Sequence, residues 1–265
     1  MALDKLVDSA QLDSDLTSVA NVIRTKTGGS AQLAFPSGFT SAIESIQTGG
    51  GSAAIDSLID RSITSIESNV TSVGSSAFNG CKSLTSVSFP VATSVGTSAF
   101  LNCTGLTTAN FPAATSIGTS AFCYCTNLTS VHFPAATSIG SQVFYECNKL
   151  TNIEIPAATS IADSTFSNSH LIRIFLKSVT SIGKQSFAYC TYLTTVVMGS
   201  RASLSNTNAF YNNNRAIIYV QPGDLSWYST ETNWSTLYAN NRVKSTADLT
   251  GDDLTWYQQQ LALYP

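Results

Sequence analysis

Cysteine recurs at a fixed position in this chain, and six cysteines could form a disulfide framework or a metal site. Five of them follow a recurring phenylalanine by three residues: Cys81, Cys103, Cys125, Cys147 and Cys190. If these positions stack one above another, neighbouring Cβ atoms lie about 4.8 Å apart, wider than the roughly 3.8 Å of a disulfide. Such a column would also supply metal ligands along a line and not around a point. We therefore predict buried structural thiols and no metal or cofactor, with a bridge between neighbouring units as the alternative. Cys123, outside the column, is expected to be the most exposed thiol.

A histidine and a carboxylate offer a second kind of chemistry. His132 and Glu154 are 22 residues apart and should be neighbours, with Arg173 diagonal to Glu154. Histidine beside a carboxylate can support general acid–base catalysis, but no nucleophile, pocket or oxyanion donor is identifiable in the sequence. We predict no catalytic residues and no enzyme. Two interpretations remain: a solvated face with a fortuitous His–Glu pair, or a shallow recognition patch of His132, Glu154, Arg173 and an exposed Phe175 that binds a carbohydrate or a protein.

Tyrosines form a second candidate binding surface. Tyr124, Tyr145 and Tyr189 replace small residues just after the recurring phenylalanine. A tyrosine ring offers contact area at low entropy cost, which is why tyrosine is frequent in recognition surfaces. The alternative is that these rings simply cover an edge of the fold.

The elements that position these residues are set by an internal repeat. Phenylalanines recur at intervals of 22, 22, 22, 22, 21 and 23 residues: Phe78, Phe100, Phe122, Phe144, Phe166, Phe187 and Phe210. A period of this length is typical of a solenoid, whose units bury a face only against their neighbours. We expect about seven turns of the solenoid, here called rungs, of about 22 residues each.

Each rung carries the pattern L-x-x-V-x-F-P, as in Leu84 to Pro90, then Thr-Ser-Ile-Gly and Ala-Phe-x-x-Cys. Apolar residues at its fourth and sixth positions alternate as in a half-buried strand, and proline then ends the strand. Together these motifs closely resemble the BspA-like leucine-rich-repeat family, over about 63–241. The resemblance implies a mainly β solenoid with short turns and helices, and a non-catalytic adhesion or recognition role.

The two ends differ from the repeat. Residues 1–48 are predicted to be a short helical attachment segment, 49–54 a Gly/Ser linker, 55–220 the solenoid and 221–265 a helical cap with a tail helix. The segments Leu12 to Gly29 and Leu33 to Ile43 resemble tail-associated structural proteins of phages and prophages of Firmicutes. This resemblance implies attachment to a tail or baseplate partner; a simple cap for the solenoid is the alternative. We expect Ile217–Val220 to be the last strand, and the tail helix to pack on the cap or form a homo-oligomer contact.

Composition excludes some function classes. Only 11% of residues are charged, the net charge is −3, and the basic residues are scattered, so a nucleic-acid partner is not expected. Neither a secretion signal nor a membrane span is identifiable. The two resemblances together imply a virion-associated receptor-binding module that recognises a bacterial surface glycan or protein, or alternatively a bacterial cell-surface adhesin or structural repeat protein.

Overall fold

The computed structural model describes residues 64–264, which form a stack of short parallel strands closed by a helical cap. The predicted attachment segment 1–48 and linker 49–54 lie outside the described residues. The sheet formed by the L-x-x-V-x-F segments, here called the front sheet, consists of two groups of four strands. Its strands are β1 (Ser65–Glu67), β3 (Ser86–Ser88), β5 (Thr108–Asn110), β7 (Ser130–His132), β10 (Arg173–Leu176), β12 (Thr195–Met198), β14 (Ile217–Val220) and β15 (Val243–Ser245).

The Thr-Ser-Ile-Gly segments form a second row of parallel strands, divided into one sheet of four strands and one of three. Its two-residue strands are β2 (Ser72–Val73), β4 (Ser94–Val95), β6 (Ser116–Ile117), β8 (Ser138–Ile139), β9 (Ser160–Ile161), β11 (Ser181–Ile182) and β13 (Ser203–Leu204). All pairings are parallel and in register, so each residue lies beside its equivalent in the next rung. The predicted solenoid with seven phenylalanine rungs is thereby confirmed.

Proline ends several of the front strands. In β3 and β5 the strand ends two residues before Pro90 and Pro112, which have no N–H to extend the ladder. Gly199 takes this place after β12, and its N–H donates to the Leu176 carbonyl at 3.0 Å. The front strands β10, β12 and β14 lack proline at this position and are four residues long, whereas β1 and β15, which lack it too, are three residues long.

The third side of the solenoid contains the Ala-Phe-x-x-Cys segments and is here called the turn side. On this side every second residue donates a backbone hydrogen bond to the following rung. Ser98 N–H donates to Thr119 O at 2.9 Å, and Phe100 N–H donates to Ala121 O at 2.8 Å. Residues at two positions of most rungs lie in the left-handed region, such as Ser120 and Tyr124, with φ values of 56° and 59°. The backbone of this side is therefore already paired from rung to rung.

The core is a continuous stack of aromatic rings between the three sides. Phe100 lies 5.1 Å from Phe78 and from Phe122, with nearly parallel ring planes. A second stack begins with Phe89 and Phe111, 5.2 Å apart. Burial of these rings against the neighbouring rung is the principal stabilising contact of a solenoid.

Close approach of the rungs explains the recurring glycine after the second strand. A Cβ atom on Gly118 would lie 2.6 Å from the backbone nitrogen of Thr97 in the preceding rung. A side chain at this position crowds the preceding rung, which favours glycine in most rungs, although Ala162 takes the equivalent place in one of them.

The cap continues the front sheet and then covers the end of the core. Ile217–Val220 is not the last strand, as the sequence had suggested, because β15 pairs with it in parallel. Between them lie helices α1 (Leu225–Thr230) and α2 (Ser235–Ala239). Trp234 is fully buried, and its indole N–H donates to the Ala202 carbonyl.

The last helix, α3 (Gly251–Leu263), lies after β15 in the chain. The described residues also form single-turn 3-10 helices at Thr207–Phe210, Pro222–Asp224 and Thr246–Asp248. Among the helices of the described part of the chain, none is both long and apolar enough to cross a membrane.

Candidate functional site

The outward side chains of the front sheet are polar in its first half. His132 lies beside Asn110 in the register of β5 and β7, and both side chains are exposed. The Asn110 amide donates to the hydroxyl of Ser88 at 3.2 Å. A shallow concavity of about 500 Å³ lies on this half, lined by hydroxyl and amide groups such as those of Ser86 and Thr108.

The predicted neighbours His132 and Glu154 do meet. They form an isolated parallel bridge beside β7, the last strand of the first group of four front strands. The Glu154 carboxylate accepts a hydrogen bond from the hydroxyl of Tyr264. Burial, and next the hydrogen bond to Glu154, raise the pKa of Tyr264 to about 12. Glu154 therefore holds the end of the chain, which gives its carboxylate a structural role.

Helix α3 covers the second half of the front sheet. Asp253 pairs with the guanidinium of Arg173 and accepts a bond from the Thr195 hydroxyl at 2.9 Å. The ammonium group of Lys177 donates to the backbone carbonyl of Tyr264 at 3.0 Å. The tail helix thus packs on the sheet face, and not on the cap.

Phe175 is consequently not exposed, and the sequence expectation on this point is wrong. Only 6% of the residue is accessible, because its ring packs edge-on against Tyr257 of α3 with centroids 5.6 Å apart. Val197 and Leu249 complete this small second core. Of the predicted patch, His132 is open to solvent, Glu154 and Arg173 are engaged by the tail, and Phe175 is covered.

The tyrosines of the turn side remain accessible. Tyr124 and Tyr189 are 42% and 41% exposed, and Tyr145 is half-buried. Tyr124 meets Tyr145 of the next rung edge-on at 5.5 Å and 78°. Tyr189 meets Tyr211 in the same way, at 5.5 Å and 74°. The two pairs are equivalent in geometry, and the rung of Phe166 separates them.

A groove of about 510 Å³ runs along this side, from Leu101 to Tyr189. Its remaining lining is small or polar, and includes Ser167, Asn168, Gln142 and Gln185. None of the described residues that line it carries a formal charge at neutral pH. The groove therefore combines aromatic rings with neutral hydrogen-bonding groups.

Two of the tyrosines have a backbone conformation that is unusual for a bulky residue. Tyr124 and Tyr189 both have φ near 59°, a region that bulky residues seldom adopt. Asn102 and Asn168 have the same conformation at the equivalent positions of other rungs, and asparagine tolerates it better. The pKa of Tyr124 is raised by desolvation first and then by the neighbouring Tyr145.

The cysteines are packing groups with an additional role that the sequence did not suggest. The Cys125 thiol donates to the carbonyl of Phe100 in the preceding rung at 3.1 Å, and the Cys103 thiol donates to that of Phe78 at 2.9 Å. Burial raises the pKa of Cys125 well above its ordinary value. No disulfide joins the six cysteines, and residues 64–264 contain no cluster suited to a metal ion.

Cys123 is also buried, so the expectation that it is the most exposed thiol is wrong. It is 5% accessible because it lies within the groove that Tyr124 and Tyr145 also line. Burial, and next the negative charge of Glu146, raise its pKa to about 11. Its thiol is accordingly protonated at neutral pH.

Parallel rungs of about 22 residues, a stacked phenylalanine core and a polar outer face define a leucine-rich-repeat solenoid. A family model described as the BspA type leucine rich repeat region, present in 6 copies, matches residues 59–169 and 115–226. The chain belongs to this family. No curated protein sequence matches it.

Two solved structures illustrate the similarity. A leucine-rich cell surface protein of Faecalibacterium prausnitzii is 24% identical, with a TM-score of 0.37, over 55% of this chain and 45% of that one. A leucine-rich repeat protein of Bacteroides ovatus is 23% identical, with a TM-score of 0.33, over 60% of this chain and 56% of that one. The chain therefore spans about half the length of these two proteins.

Proposed function

We propose that this protein is a non-enzymatic recognition module, carried by a phage or prophage tail, that binds the surface of a bacterial cell. The observation that carries the proposal is the exposed tyrosine groove on a rigid repeat scaffold. Family membership supports the coarser role in adhesion or interaction, because leucine-rich repeats of this type are generally non-catalytic.

The mode of binding follows from the architecture. A solenoid presents similar side chains at regular intervals, so a ligand with its own repeat can make several weak contacts at once. Several copies on one particle would add avidity without any new contact. Shallow contacts of this kind suit attachment to a cell surface better than capture of a single small molecule.

The assignment to a phage tail rests on the resemblance of residues 1–48 to tail-associated proteins. A bacterial cell-surface adhesin is the alternative, and the family accommodates it equally well. Labelling with an antibody against the solenoid, viewed by electron microscopy after prophage induction, separates the two. We expect label at the tail ends of particles; label confined to the cell envelope would refute the tail assignment and favour the adhesin.

A shortened chain that begins at Ala53 tests whether residues 1–48 provide attachment to the particle and the solenoid provides cell binding. We expect it to bind cells as the full chain does and to be absent from purified particles. The full chain, purified in parallel, serves as the control for cell binding, and circular dichroism checks that the solenoid is intact in both. A folded shortened chain that no longer binds cells would contradict the proposal.

A further inference from the structure

We infer that the turn-side groove binds a neutral polysaccharide, which lies along the rungs and stacks its sugar rings on Tyr124, Tyr145 and Tyr189. This inference rests on the proposed function and names the ligand class of the same surface.

The first argument is charge. The groove is lined by tyrosine rings, hydroxyls and amides such as Asn168 and Gln185, and by no charged side chain. An acidic polymer would find no cation to pair with in the lining, and the charge of Glu146, which acts on Cys123 and Tyr124 of the groove, would repel it. A basic peptide would find no carboxylate among the lining residues themselves, and Glu146 lies beside them. A neutral ligand rich in hydroxyl groups matches donors and acceptors of this kind.

The second argument concerns the backbone. Extended peptides commonly add a strand to an open sheet edge, where main-chain hydrogen bonds provide the affinity. On the turn side these groups are already used: Tyr124 N–H donates to Tyr145 O at 2.9 Å, and Ser120 N–H donates to Ser141 O at 2.8 Å. The groove therefore offers side chains alone, which favours a sugar chain over an extended peptide.

The third argument is that the edge-on tyrosine pair occurs twice along the turn side. The Tyr124–Tyr145 and Tyr189–Tyr211 pairs have the same edge-on geometry, and their first members lie three rungs apart. At about 4.8 Å per rung this separation is about 14 Å. The rung between the pairs presents the small side chains of Ser167 and Asn168. A ligand with apolar ring faces at regular intervals and polar groups between them fits this sequence of surfaces.

Substitutions that copy the protein's own rungs test the inference. Tyr124→Asn and Tyr189→Asn introduce the residue already found at the equivalent positions 102 and 168, so the left-handed backbone is preserved. Loss of one stacking ring should weaken binding of the full chain by about tenfold. Tyr192→Ala is the matched control, since Tyr192 is 51% exposed but stacks on His170 outside the groove. Circular dichroism and thermal melting establish that each variant is folded.

The ligand class is tested on a panel of gut bacteria that is first screened for binding of the full chain; the treatments below are applied to the strains that bind. Periodate, which cleaves the vicinal diols of sugars, should abolish binding, whereas proteinase treatment of the cells should leave it intact. Purified neutral wall polysaccharide from the same cells should compete, and the acidic fraction should not.

Binding that resists periodate but is lost after proteinase treatment overturns the inference and leaves cell recognition standing. Competition by the acidic fraction alone also overturns it, as does full binding by both Tyr→Asn variants. Absence of binding to every strain refutes the proposed function, and with it this inference.

Discussion

Removing one ring from α3 should separate the stability of this helix from that of the solenoid. Tyr257 is 8% exposed, packs edge-on against Phe175 at 5.6 Å, and accepts a hydrogen bond from Gln221 at 3.3 Å. Truncation of a buried aromatic residue to alanine costs about 3 to 5 kcal/mol. We expect the lower end for Tyr257→Ala, about 3 kcal/mol, because the contact lies at the edge of the molecule and can relax.

The assay is hydrogen exchange of the amides of Gly251–Leu263, followed by mass spectrometry. A loss of about 3 kcal/mol corresponds to roughly 100-fold faster exchange where exchange reports local opening. The amides of β5 and β7 should be unaffected, because they lie in rungs that α3 does not cover. Leu261→Ala is the control on the same helix: Leu261 is 43% exposed, and we expect a change below about 0.5 kcal/mol.

Tyr257→Phe provides a finer control, since it keeps the ring and removes only the hydroxyl that contacts Gln221. We expect a loss of about 1 kcal/mol. Unchanged protection of α3 in Tyr257→Ala would refute the assignment of the helix to this face. Equal loss of protection in β5 and β7 would show instead that helix and solenoid open as one unit.

Two further predictions concern the cysteines. Cys125→Ser should lower the free energy of unfolding by less than about 1.5 kcal/mol, because serine can donate to the Phe100 carbonyl and Ser169 already occupies this column. Cys125→Val removes the donor and adds volume, so it should cost about 1 to 3 kcal/mol. Urea denaturation measures both values, and equal values for the two variants would contradict the role of the thiol. Burial raises the pKa of Cys190 from its ordinary 9.0 to about 11, so this thiol ionises first in the unfolded chain. Its contribution to the free energy of unfolding should be constant below pH 9 and fall from pH 9 to 11. A series of thermal melts over this range should show a smaller fall for Cys190→Ser, and an identical fall would mean that other groups are responsible.

The repeat made the fold predictable from sequence. A fixed period places equivalent residues beside one another, so the partners of Ser130 or His132 follow from counting. The same reasoning anticipated the contact between His132 and Glu154 and the burial of the cysteine column. Local spacing is sufficient here because each rung contacts only its neighbours.

The contacts of α3 break the period, and counting could not find them. Asp253 reaches Arg173 across 80 residues, and Tyr264 reaches Glu154 across 110. The sequence contained two signals. Phe175 and Val197 make the outward positions of the front sheet apolar in its second half, and the tail helix has an apolar stripe for which the sequence indicates no packing partner. Neither signal alone says that the two surfaces meet, because the same stripe suits a cap or a second copy of the chain.

The tyrosine surface was predicted as residues but not as a shape. Sequence identifies Tyr124, Tyr145 and Tyr189 on one side, yet their edge-on pairing depends on how side chains leave a left-handed backbone. Cys123 illustrates the same difficulty, since its burial depends on neighbours in the adjoining rung. Whether this surface binds a ligand stays a prediction.

The turn-side ladder also gives the solenoid an electrical polarity. In an ordinary parallel sheet the peptide dipoles largely cancel, but on the turn side Ser98, Phe100 and Asn102 all donate toward the following rung. Their peptide dipoles, about 3.5 D each, therefore add along the stack as they do in a helix. The N–H end points toward the cap and the carbonyl end toward the first rung. One side of the molecule thus acts as a long macrodipole, with a negative potential at the end where residues 1–63 join and a positive one beside the cap.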